Sequence, residues 1–141
     1  MLTITHATPS DKRDYFSLDT HMPESEYEPK IRDKRCYIVR DSDCLAGIMR
    51  YNLFWDTIPF LTLIYLDEAY RGRNIGTQAM GIWEDEMRSL GYKMLMTSTQ
   101  VDENAQHFYR KLGYKDSGCL ILDTQPLEII LTKSFKGLRS R

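Results

Sequence analysis

Apolar and polar residues change their spacing several times along the 141-residue chain, and each change marks an element. Residues 2–6 alternate and predict a short first strand. Pro9 and Ser10 suit a helix start, and two short polar helices are expected at about residues 10–19 and 25–35. Residues 36–40, carrying Tyr37, Ile38 and Val39, read as a strand. Asp41-Ser42-Asp43 supplies a turn, and residues 45–54 return as the antiparallel partner. After Asp56 and Pro59, the run of residues 60–66 is apolar on both faces, the pattern of a strand at the centre of a sheet and covered from both sides.

A helix follows. Ile75, Ala79, Ile82, Trp83, Met87 and Leu90 draw one apolar stripe at a 3.6-residue period. Glu84 and Arg88 are expected to pair on the wet face, and Gly91 to end the helix as a C′ residue. Residues 93–99 form a second buried strand, so strand, helix and strand make a βαβ unit with a parallel pair. Asp102 is expected to cap a short helix with apolar positions Ala105, Phe108, Tyr109 and Leu112, closed by Gly113. Residues 118–123 and 127–132 predict a final hairpin turned at Gln125-Pro126, and the basic end, 134–141, is expected to fray.

Composition narrows the classes. A chain of 16.6 kDa with 42% apolar and 28% charged residues suits one globular domain over 1–141. Nineteen basic against twenty acidic residues give a formal charge of −1, without the basic surplus of a general nucleic-acid binder. No run approaches the roughly 20 apolar residues of a membrane span. The start, with Asp11 and Asp14, lacks a secretory pattern, so a cytoplasmic protein is expected. Cys36, Cys44 and Cys119 are widely spaced and read as small buried hydrophobes, with no zinc or disulfide pattern. Met80, Met87, Met94 and Met96 read as core filling, and His6, His21 and His107 as structural or solvated.

The chemistry concentrates at residues 71–77, between a buried strand and a strong helix. The first N–H groups of a helix lack intrahelical partners and carry the positive end of its dipole, so a phosphate or diphosphate can rest there. Gly72 and Gly76 remove side chains from the approach, while Arg71 and Arg73 add charge. The segment is one residue short of a G-x-x-x-x-G-K-[ST] loop and has no lysine, and the dinucleotide G-x-G-x-x-G is absent. On pattern alone, a tight turn with two solvated arginines remains the competing account.

Arg71-Gly72-Arg73-Asn74-Ile75-Gly76 resembles the [QR]-x-x-G-x-[GA] signature of the GNAT superfamily of acyl-CoA-dependent N-acetyltransferases. Asn104-Ala105 followed by Phe108-Tyr109-Arg110-Lys111-Leu112-Gly113-Tyr114 is similar to that family's later N-x-x-A-x-x-F-Y-x-x-x-G-[FY] block, shortened by one residue at the alanine. The resemblance covers about residues 60–114. Asn74 replaces the signature's first glycine, and Glu68 stands where many members have proline. The implied fold is α/β with a mixed, mostly antiparallel central sheet, one splayed parallel pair and helices on both faces.

The resemblance implies acetyl-CoA as cosubstrate, without metal. Backbone groups near Leu66 would pair with its pantetheine arm and polarise the thioester carbonyl, and the diphosphate would lie on residues 73–77, among them Ile75 and Thr77. Tyr109 is either a core aromatic or the proton donor to the departing thiolate. Glu68 is either a solvated turn residue or the base that takes the amine's proton, a role water also fills in the family; Asp67 and Thr97 are weaker candidates. Asn104 caps a helix or bonds the cofactor arm. Acceptor choice would fall to the N-terminal helices and to the loop with Trp55 and Asp56, where an aromatic and a carboxylate suit a cationic amine, with Glu24, Glu26 and Glu28 adding acid. The expected partner is a small-molecule or peptide amine, with no nucleic acid or membrane, and a homodimer is left open. A non-catalytic acyl-CoA sensor is the alternative from another class.

Overall fold

Alternation, turns and the helical stripe become seven strands and four α-helices in a computed structural model that describes residues 1–135. In chain order these are β1 (Leu2–His6), α1 (Lys12–Leu18), α2 (Tyr27–Arg32), β2 (Cys36–Asp41), β3 (Cys44–Phe54), β4 (Ile58–Leu66), α3 (Ile75–Ser89), β5 (Met94–Gln100), α4 (Ala105–Lys111), β6 (Lys115–Leu120) and β7 (Glu128–Ser134). Single 3-10 turns precede α1, α2 and α3. The sheet runs β1-β2-β3-β4-β5-β7-β6. Its pairing is antiparallel for β1–β2, β2–β3, β5–β7 and β6–β7 and parallel for β4–β5. Among the described residues no helix is long and apolar enough to cross a membrane.

The chain divides into two compact units, Met1–Asn52 with Thr62–Trp83, and Leu53–Leu61 with the chain from Glu84 onward. In the first, α1, α2 and the strands enclose Tyr15, Met22, Tyr27, Cys36, Ile38 and Ile48. A buried carboxylate organises the segment between the two helices. Asp19 accepts hydrogen bonds from the Tyr15 hydroxyl and Arg50 Nε, both at 2.8 Å, and from the N–H groups of His21 and Met22 at 2.9 and 3.1 Å. Burial alone would raise its pKa. The bonds from His21, Tyr15 and Met22 and the Arg50 charge outweigh that and hold it below the ordinary carboxylate value.

The second unit pairs β5 with β7 from Met94↔Ser134 to Gln100↔Glu128. Both helices that end in it close alike. Gly91 (φ 94°) and Gly113 (φ 97°) take left-handed conformations at C′. Tyr92 N–H then reaches Met87 O (3.2 Å) and Tyr114 N–H reaches Tyr109 O (3.1 Å), the bond across the last turn of a Schellman cap.

Several expectations give way. Ile82 (44% exposed) and Leu90 (60%) leave the α3 stripe, and Met80 joins Ile75, Ala79, Trp83 and Met87 in the core. Ile82 lies at the edge of the apolar arc, and Leu90 falls past the end of α3. Glu84 does not pair with Arg88. It accepts from Lys133 Nζ and the Tyr114 hydroxyl, each at 2.8 Å, while the Arg88 guanidinium lies over the Phe135 ring. The strand β4 is not covered on both faces, since Thr62 and Tyr65 are exposed. Asp102 lies two residues ahead of the N-cap position, which Asn104 occupies. Cys36 is buried, and burial pushes its thiol up to about 11, whereas Cys44 and Cys119 are exposed rather than core. Of the tail expected to fray, Ser134 is paired in β7, and Phe135 is buried with its N–H on Lys93 O at 3.1 Å. Residues 136–141 lie outside the described residues.

Candidate active site

Within the first unit, the strand-to-helix turn is built by a close approach of two strands. A Cβ on Gly47 of β3 would lie 2.6 Å from Tyr65 O and 2.7 Å from Leu66 Cδ2, so only glycine lets the end of β4 run this near. The ladder continues one residue further, where Asp67 N–H donates to Ala46 O at 2.8 Å. The chain then turns through Glu68–Tyr70, and Glu68 is exposed.

Arg71 returns to the strand end, its Nε donating to Leu66 O at 3.0 Å and its guanidinium 5.3 Å from the Tyr65 ring centre. That carbonyl keeps a second lone pair for another donor. Arg73 lies 5.4 Å over the Tyr70 ring. Gly72 and Asn74 both have positive φ, 76° and 65°. Asparagine adopts this left-handed region more readily than most non-glycine residues, so the replacement of glycine at 74 preserves a sharp turn.

Gln78 N–H bonds Asn74 O at 3.2 Å, which makes Asn74 the cap residue of α3. The N–H groups of Ile75, Gly76 and Thr77 therefore belong to the helix's open first turn. Ile75 is buried and anchors that turn, and no acidic residue occupies it. An exposed, left-handed turn with two arginines and an uncompensated helix start fits an anion such as a diphosphate.

The second unit holds the other candidates. Tyr109 on α4 is 6% exposed, its ring edge-on to Tyr114 at 5.8 Å. Burial raises its pKa and the Glu103 charge adds to this, while the neighbouring Thr97 hydroxyl opposes it. The phenol therefore remains a proton donor beyond the ordinary value near 10. Thr97 donates its own proton to Leu61 O at 3.0 Å, at the parallel pair Leu61↔Thr97. Asn104 stands at the N-cap of α4, and its exposed side chain makes no cap bond.

Trp55 (φ 53°) and Asp56 (φ 64°) form the tip of the β3–β4 hairpin. Trp55 is 76% exposed and stacks on Phe54 at 4.6 Å, so the aromatic does not enter the core. A bulky residue in the left-handed region is uncommon and often marks a functional turn. Glu24 and Glu28 belong to the first unit. They line a groove of about 690 Å³ with Tyr27 and Lys12, whose ammonium is 3.7 Å from Glu24. Among the described residues no group of three or more His, Cys, Asp or Glu is placed to hold a metal ion.

Sequence reasoning brought Leu66, Glu68 and residues 71–77 onto one continuous turn, as the structure has them. It missed Gly47, whose signal was a lone glycine inside an apolar strand run, and the pairing of Thr97 with Leu61, which depends on contacts remote in sequence.

The model of the acetyltransferase (GNAT) family matches residues 5–114. No curated protein sequence matches the chain. Among solved structures, Ard1 from Thermoplasma volcanium superposes with a TM-score of 0.82 at 15% identity, covering 94% of this chain and 97% of that one. Arabidopsis thaliana Naa50, in complex with the bisubstrate analogue CoA-Ac-MVNAL, gives 0.80 at 15% identity, with 95% and 99% covered. Spermidine/spermine N-acetyltransferase SpeG from Vibrio cholerae gives 0.79 at 16% identity, with 94% and 92% covered. These likenesses carry the fold, and the match over 5–114 carries the kinship: the chain belongs to the acetyltransferase (GNAT) family.

Proposed function

We propose that this protein works in the cytoplasm and transfers the acetyl group of acetyl-CoA to a primary amine by direct attack within a ternary complex. The observation that carries the reading is the turn from Leu66 to Thr77, where a strand end, two left-handed residues and an acid-free helix start suit a thioester arm and its diphosphate. Naa50 holds a CoA conjugate of a peptide and SpeG is named for polyamines, which supports both cosubstrate and amine acceptor.

In this reading the main-chain groups near Leu66 pair with the pantetheine arm, and a nearby N–H polarises the thioester carbonyl. The N–H groups of residues 73–77, with Arg71, Gly72 and Arg73 beside them, hold the diphosphate, and Asn104 bonds the arm. An amine of lysine-like pKa is mostly protonated at neutral pH, so a proton must leave before attack. Exposed Glu68, or water, takes it. Tyr109 donates to the departing thiolate, and Trp55 with Asp56 holds the cationic acceptor.

The near-complete burial of Tyr109 favours one rival, a non-catalytic acyl-CoA-binding module. Thiol release from acetyl-CoA over a panel of small amines, polyamines and peptides decides between them. Turnover with at least one amine is expected, and Tyr109→Phe should lower kcat on the order of 100-fold with cofactor affinity nearly unchanged. Stabilisation by acetyl-CoA of about 2.7 kcal/mol at 100 times its Kd, with none from ATP or NAD, tests the binding half of the reading. That stabilisation without turnover on any amine would favour the sensor.

A further inference from the structure

Glu128 is a carboxylate of the second unit that neither the diphosphate turn nor the surroundings of Tyr109 account for. Ser98 on β5 donates its hydroxyl proton to Glu128 Oε2 on β7 at 2.6 Å, the length of a charge-assisted bond. Both residues are half-buried. No lysine or arginine among the described residues pairs with this carboxylate. Oε1 makes no bond to a described residue.

The register sets the pair at the level of the reacting groups. Leu61↔Thr97 is the last registered pair of the parallel strands, and Tyr109 has the Thr97 hydroxyl as its neighbour. Where Tyr109 protonates the departing thiolate, the sulfur stands at the level of Thr97. Ser98 is the next residue. Successive side chains of a strand point to opposite faces. Thr97 and Thr99 share the face of α4, the Thr99 hydroxyl bonding Glu103 ahead of that helix at 3.3 Å, so Ser98 points to the other. Opposed residues share a face, and the pairs Ser98↔Ile130 and Gln100↔Glu128 put Glu128 on the side of Ser98. Met96 and its registered partner Phe60 lie on that side as well. From Phe60 an aromatic row runs through Phe54 at 6.3 Å to Trp55, 4.6 Å further, at the hairpin tip.

The proton donor and this carboxylate thus occupy opposite faces of β5 at neighbouring residues. Direct attack calls for that arrangement, because the amine approaches the carbonyl carbon while the thiolate leaves it. The transferase reading gives the amine's proton to Glu68 or to water. Glu68 lies past the end of β4, in the turn that leads to the diphosphate site. We infer that water is the route and Glu128 its end: the carboxylate draws in the acceptor's ammonium and takes its first proton, held in place by Ser98. The inference rests on the transferase reading. The first proton passes from the ammonium through water to Glu128 and on to solvent. The nitrogen lone pair then forms the C–N bond as the C–S bond breaks, and the second N–H proton replaces the one that Tyr109 gives the thiolate. Ammonium and acetyl-CoA become amide, CoA thiol and one free proton. No other ionisable group shares the position. Strand β5 (Met94–Gln100) contains none, and β6 sets Leu120 opposite Glu128, with Cys119 opposite Ile129 on the α4 face and Lys115 opposite Thr132 at the far end.

The test uses the full chain and the amine of the panel with the highest kcat/KM. Glu128→Gln keeps the shape and an acceptor for Ser98. It should lower kcat/KM on the order of 100-fold at neutral pH, with acetyl-CoA affinity and melting temperature nearly unchanged. The deficit should shrink as the pH rises toward the amine's pKa, because the amine then arrives neutral. Ser98→Ala should cost roughly 10-fold, recovered in Ser98→Thr. With free CoA in place of acetyl-CoA, calorimetry should find the same amine bound roughly 10-fold more weakly by Glu128→Gln. Wild-type rates in Glu128→Gln, a deficit that pH does not change, or a loss in Glu68→Gln that Glu128→Gln does not share would each overturn the inference and leave the transferase standing. A wild-type chain that turns over no amine would remove the transferase reading, and the proton step would fall with it.

Discussion

Single residues set the geometry of the turn between β4 and α3. Gly47 is the clearest case, because a methyl group there would press on the Tyr65 carbonyl and on Leu66 at distances that real Cβ atoms do not tolerate. Gly47→Ala should cost about 1–3 kcal/mol by overpacking and weaken acetyl-CoA binding by displacing the end of β4. Denaturant melts and calorimetry check the two effects, and an unchanged cofactor affinity would detach Gly47 from the turn. At residue 74 sequence and structure agree for a physical reason: asparagine keeps the positive φ that the turn demands. Other residue roles were open to more than one account. Tyr109 is a buried aromatic whose phenol that burial keeps protonated, which agrees with the core reading and leaves the donor reading to the kinetic test.

At the scale of elements, most of the secondary structure was legible, since alternation and a 3.6-residue stripe are local signals. Strand β1 and the βαβ unit from β4 through α3 to β5 stand where the pattern put them. Misreadings arose where a partner distant in sequence decides. Glu84 chose Lys133 and Tyr114 over its helical neighbour Arg88, because β7 brings a lysine to it. The apolar run of β4 looked doubly covered, but run length says nothing about which face stays open at Thr62 and Tyr65. The cap of α4 has a functional corollary. Gly113 at φ 97° lets Tyr114 turn back onto Tyr109. Gly113→Ala faces no severe clash, its nearest neighbour being a lysine side chain at 3.6 Å, but a left-handed alanine costs about 1–2 kcal/mol. Thermal unfolding should register that loss. A fall in kcat larger than the fall in acetyl-CoA affinity would show that the cap positions the phenol.

For the whole molecule, the carboxylates predict an acid limit. Asp19 and Asp11 have folded pKa values below the ordinary one. At Asp11, burial is outweighed by bonds from the Thr8 N–H and Arg40. A group depressed in the folded state contributes stability above its unfolded pKa, near 3.9, and that contribution is lost as pH falls through the folded value. Melting temperature should therefore hold near neutrality and drop below about pH 4. Asp19→Asn should lower it at neutral pH and shallow the acid decline, and a variant with an unaltered acid limb would remove Asp19 as its source. The two tryptophans lie in opposite surroundings, Trp83 1% and Trp55 76% exposed. Their fluorescence is thus separable: a water-borne quencher such as iodide silences the hairpin tip and spares the indole in the core. One optical signal then follows encounters at residue 55 while the other follows the integrity of the interior.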